Sequence, residues 1–175
     1  MTSVADLAAV WPLLVKIAVS AWMIGVSVLD HRTGRIPNAL TGPVMLGVGA
    51  LQLSRVAVGD WAKLGLLLAW ALIFVLWMLH FMGGGDAKFL MALYALFPNM
   101  AFTTVLALIL LLLIIPLVLL EVRRRPAGQS LGAAWRRLAT GQVMPTERDL
   151  HERGRRYAWT FAVPGLVYAW LYWGI

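Results

Sequence analysis

Six apolar runs, separated by short polar breaks, organise this chain: Ala8–Leu29, Ala39–Val58, Ala62–Met82, Ala87–Phe97, Met100–Leu120 and Tyr157–Trp173. A helix that crosses a bilayer needs about 20 mostly apolar residues for a hydrocarbon core of about 30 Å. Five of the runs approach that length. The fourth does not: its eleven residues rise only ~16 Å. It either starts deep in a recess at the glycine-rich turn before it or continues through Pro98 with a kink, and covered backbone tolerates both. The pattern predicts an all-α polytopic membrane protein of about six transmembrane helices. Residues 1–175 form a single membrane-embedded domain with no internal repeat.

Composition agrees. Hydrophobic residues make up 61% of the chain and mean hydropathy is +0.80, against ~45–50% apolar in an ordinary soluble domain. Residues before Ala8 hold Asp6 and no Lys or Arg, so the basic segment of a cleavable signal is missing and the first run is expected to remain as an anchor. With no cysteine there is no disulfide, cysteine zinc site or thiol nucleophile.

Charge sets the orientation. Of fifteen Lys and Arg, nine fall between residues 122 and 156, and the positive-inside rule puts that basic loop in the cytoplasm. Counting crossings backward puts the Gly83–Lys88 turn and the Asp30–Asn38 loop on the same side, with both chain ends outside. Within the basic loop, Ser130 is placed to cap a short helix with Leu131, Trp135 and Leu138 on one stripe and Arg136 and Arg137 on another. Thr146 is placed to cap a second helical turn. The first helix is expected to lie on anionic lipid headgroups. Topology already accounts for the arginines, so nucleic acid is not an expected partner.

Against this background two acids stand out. Asp30 ends the first run and Asp86 follows the third, and a carboxylate at the edge of the hydrocarbon is a functional candidate by default. Gly83-Gly84-Gly85 before Asp86 offers freedom at positive φ and room for another backbone to approach. Asp86 is expected to open the fourth helix, whose N-terminus favours an anion. Around Asp30, the chain Asp30-His31-Arg32-Thr33-Gly34-Arg35-Ile36-Pro37-Asn38 turns and restarts as a helix, with Asn38 or Thr41 as the expected cap. A plainer reading pairs Asp30 with Arg32 or Arg35 in an ordinary hairpin. Taken together, two carboxylates at one depth cannot both ionise easily. One holds a proton while the other takes one from water, as hydrolysis of an amide requires. Three or four convergent ligands would be needed for a metal, and this rim does not offer them. No cofactor is expected.

Asp-x-Arg-x-x-x-Ile-Pro-Asn followed by Gly-Gly-Gly-Asp-x-Lys resembles the type IV prepilin peptidases, the GxGD-type aspartic proteases of the membrane. The resemblance implies that Asp30 and Asp86 are the catalytic pair. It also implies that Gly83, Gly84 and Gly85 make room for substrate, and that Lys88 and Asn38 shape the site. The implied partner is a prepilin or prepilin-like precursor, cut after a glycine at the cytoplasmic face of the inner membrane. The short Asp30–Asn38 loop and the lack of cysteine are similar to the short form found with tight-adherence (Flp) pili and archaeal preflagellins. It lacks the cysteine-bearing insertion of the long members, which also methylate the new N-terminus. Two alternatives stay open: a transporter using the same acids for a proton or cation, and an inactive structural subunit of a pilus machine.

Overall fold

The computed structural model describes residues 4–79, 82–124 and 158–174, and among them there are helices and turns but no strand. Helix α1 spans Val4–Thr33. The second apolar run is divided into α2 (Asn38–Pro43), a π-helical stretch (Val44–Val48), α3 (Gly49–Ser54) and a 3-10 turn (Arg55–Val58). Pro43 explains the division: it lacks an N–H, so the regular i→i−4 ladder is interrupted and the chain widens into the π turns that follow. Gly59, at φ 95°, ends this segment in the left-handed conformation. Then follow α4 (Leu64–Met78), α5 (Gly84–Leu96), α6 (Met100–Arg124) and α7 (Ala158–Leu171).

Helix α5 is the buried centre. Ala87, Phe89, Leu90, Ala92, Leu93 and Ala95 are all enclosed, whereas α4 buries only Leu66 and Ile73. The choice left open at Pro98 is settled: α5 stops at Leu96, because the residue before a proline is pushed out of the helical region. Asn99 then restarts the chain. Its side-chain oxygen accepts from the N–H of Phe102 at 2.8 Å, capping α6, and its amide donates to the Tyr168 hydroxyl at 2.8 Å. Phe97, Phe102, Tyr168 and Trp173 pack edge to face or tilted around that bond, with centroids 4.9–5.5 Å apart.

Three helices meet at Gly165. A side chain there would lie 2.6 Å from Met23 Sδ on α1 and 3.3 Å from Leu93 Cδ2 on α5, so only glycine lets α7 come this close. Two tryptophans pin the interior: Trp22 donates to the Leu40 carbonyl and Trp70 to the Met91 carbonyl, each at 2.9 Å. Trp70 also lies against Gly49, leaving no room for a Cβ.

Outward faces carry large apolar side chains, among them Trp11 and Ile24 on α1, Leu68 and Leu72 on α4, and Leu111 and Leu112 on α6. Among the described residues, Val10–Thr33 is the one stretch long and apolar enough to cross a membrane; Leu64–Met78, Met100–Leu113 and Ala158–Leu171 are shorter apolar helices. At 13 residues, α5 is also short of a crossing. The helix expected from Ser130, the turn expected from Thr146, and His80 lie outside the described residues.

Candidate active site

Asp30 does not end its helix, as the polarity break implied. Helix α1 runs three residues further, to Thr33. Gly34, at φ 65°, supplies the left-handed residue that stops it, and its N–H donates to the Asp30 backbone carbonyl at 2.8 Å. Thr33 tightens the turn: its hydroxyl donates to the Leu29 carbonyl at 2.7 Å and accepts from the Arg35 N–H at 3.2 Å. The Asp30 side chain points inward and is only 7% exposed. Its Oδ2 accepts from the N–H of Ala158, the first residue of α7, at 3.3 Å. Arg32 and Arg35 are exposed. Among the described residues the ion pair is Lys63–Asp60, so neither arginine neutralises Asp30.

Asp86 enters from the other side. Gly83 is the extended N-cap of α5 (φ −68°, ψ 150°), and Asp86 sits in the helix's first turn, two residues after its start at Gly84. The N–H of Ala87 closes that turn on the Gly83 carbonyl at 3.0 Å. The triple glycine therefore does not serve positive φ: among the described residues that conformation belongs to Gly34 and Gly59. Its use is close approach. A Cβ on Gly85 would lie 3.3 Å from Ile36, and one on Gly84 would lie 3.2 Å from Trp77 Nε1. The close neighbours at these two glycines are the chain's own Ile36 and Trp77.

Lys88 reaches Asn38, donating to its Oδ1 at 2.9 Å across fifty positions of sequence. This corrects one expectation: Asn38 does not cap α2, whose N-cap position is Pro37 with no side-chain bond. Thr41 is not the cap either; it is fully buried, with its hydroxyl unpartnered. The Ile36–Gly85 contact and the Lys88–Asn38 bond fasten the loop after Asp30 to the turn that carries Asp86. The sequence assigns no contact role to Ile36 or Ala158. Ile36 stands in the motif with no assigned partner, and a backbone donor such as that of Ala158 has no residue type to mark it.

The two carboxyls act on each other. In its turn outside the apolar runs, half-buried Asp86 is pushed from 3.8 up to about 7, first by burial and then by the charge of Asp30. Near neutral pH Asp86 therefore keeps its proton part of the time, where an ordinary aspartate would have lost it. Among the described residues no group of three His, Cys, Asp or Glu is placed to share a metal.

A family model described as the type IV leader peptidase family matches residues 17–119, over half of the chain, and includes both Asp30 and Asp86. No curated protein matches the chain. No solved structure matches it either.

Proposed function

The chain belongs to the type IV leader peptidase family, and from that premise we propose a membrane aspartic endopeptidase that cuts leader peptides from prepilin-like precursors. The observation that carries the proposal is the coupling of two carboxyls on separate helices: the charge of Asp30 helps keep the proton on Asp86. In the proposed mechanism a water lies between them. The Asp30 carboxylate takes a proton as the water oxygen attacks the scissile carbonyl, and protonated Asp86 donates to the carbonyl oxygen. The tetrahedral diol collapses as Asp30 returns its proton to the leaving nitrogen and Asp86 recovers one from a hydroxyl. No covalent intermediate forms and no atom is left unbalanced.

Apolar side chains on the outward faces of α1, α4 and α6 fit a lipid surround and support a multi-pass protein of the inner membrane. Residues 122–156, with nine basic side chains, support a cytoplasmic position for the end of the bundle that holds the aspartates. A precursor whose apolar helix remains in the bilayer would then present its short basic leader at that face. Coexpression with a prepilin, read by gel shift and N-terminal sequencing of the product, tests the reading. Cleavage after the leader glycine supports it. Failure to cut any prepilin, with the enzyme inserted and folded, overturns it.

A further inference from the structure

We infer that the final helix is a working part of the site, and that the backbone N–H of Ala158 is a positioning group for the Asp30 carboxylate. This rests on the reading of Asp30 as one half of the catalytic pair. Residues 158–171 lie beyond the stretch matched to the family, so the role is read from geometry alone.

A helix leaves its first N–H groups without partners inside the helix. Here the first of them is buried, with Ala158 fully enclosed, and it donates to a carboxylate that is itself buried. Each group satisfies the other, away from water, where either left alone would be costly. Asp30 has no donor of this kind on its own helix, because the amides around it are engaged in the ladder of α1. The contact therefore fixes which way the carboxylate faces.

Its precision comes from further down α7. Gly165 seats the helix against Met23 and Leu93, and Trp170 donates to Ser20 Oγ at 3.0 Å. Both contacts are made to α1 or α5, the helices that carry Asp30 and Asp86. A shift of α7 along its axis would break them and move the Ala158 amide with it.

The test replaces the Ala158 amide by an ester in the full-length protein, inserting lactic acid at that position through nonsense suppression. The donor is lost while the side chain is kept. With a prepilin substrate in membranes, kcat should fall by about tenfold or more, in line with the cost of misplacing a reacting group, and KM should hold. The same exchange at Trp159, one amide further along, should leave kcat within about twofold, as expected for a donor that does not orient a reacting group. Unchanged kcat in the Ala158 ester, or an equal fall in the Trp159 ester, overturns the proposal.

Hydrogen exchange supplies a readout that needs no turnover. The Ala158 amide should be protected in the wild type and in Asp30→Asn, which keeps an acceptor oxygen, and should lose protection in Asp30→Ala. Amides deeper in α7, such as that of Tyr168, should stay protected in all three. Equal protection at Ala158 throughout, or loss along the whole helix, overturns the proposal. An enzyme that cuts no prepilin yet shows the expected exchange pattern would sink the peptidase reading and leave the bond standing.

Discussion

Asp30 lies three residues from the C-terminal end of a 30-residue helix, whereas Asp86 is the third residue of a 13-residue one. Helix ends carry opposite partial charges, so the backbone works against an anion at Asp30 and in favour of one at Asp86. A tertiary contact opposes the helix end at Asp30, and burial with a neighbouring charge opposes it at Asp86. At Asp30 an N–H from another helix reaches the carboxylate. At Asp86 the favourable helix end is worth about 0.3–1 kcal/mol, too little to offset burial and a neighbouring charge that push the carboxyl up to about 7. Position on a helix does not by itself decide whether Asp86 keeps its proton; the surroundings of the side chain do.

Removing either charge is the strongest way to break this contrast. Asp30→Asn and Asp86→Asn should each reduce cleavage by about a thousandfold or more, as loss of a catalytic group does, with the folded protein retained in the membrane. A variant that keeps substantial turnover would show that its aspartate is not half of the pair. Gel-shift kinetics on purified protein read the difference.

The pH profile is next in size. As pH rises through about 7, Asp86 loses its proton and the pair becomes two anions, so kcat should fall by about tenfold per further pH unit. A flat profile from pH 6 to 9 would mean that the Asp86 proton is not used. The same group affects stability. Its folded-state value lies above 3.8, so its contribution to stability is full below that pH and is lost as pH rises through about 7. Thermal unfolding across the range should show the decline.

Gly85→Ala sharpens the comparison on the Asp86 side. The new methyl would meet Ile36 at 3.3 Å and force it back by a few tenths of an ångström. Alanine also favours a helix by about 1 kcal/mol over glycine, so the melting temperature should hold while kcat falls several-fold. A fall in melting temperature with unchanged kcat would reverse the assignment.

The smallest effect belongs to the Lys88–Asn38 bond, which is exposed. Lys88→Met or Asn38→Ala should lower kcat by about two- to threefold, since a solvent-accessible hydrogen bond contributes about 0.5–1.5 kcal/mol. If the two substitutions act through one bond, the double variant should be no worse than either single one. Additive losses would separate them.

Both aspartates were legible because each interrupts a strongly apolar pattern and lies in a spaced motif. The helical architecture was legible for the same reason, while the end of α5 before Pro98 was one of two choices the pattern allowed. Contacts across long sequence distance were not. Lys88 bonds Asn38, fifty positions away, and nothing in the sequence pairs the two. The triple glycine pointed both to unusual dihedrals and to the close approach of another backbone; its own backbone is ordinary, and the close neighbours are the side chains of Ile36 and Trp77. Asp30 looked like a helix end because polarity changes there, while backbone hydrogen bonding continues to Thr33.

The enclosure of α5 also bears on how such a chain is made. A 13-residue segment with Asp86 and Lys88 in its first turns is a weak signal for the machinery that inserts helices during synthesis. Its stable place depends on α4, on α2 and on the π-helical stretch (Val44–Val48), all made before it. The donor that Asp30 receives from Ala158 comes later, when α7 is made. Synthesis thus has a built-in order: the seat of α5 exists before α5 arrives, and the contact that holds Asp30 forms after it.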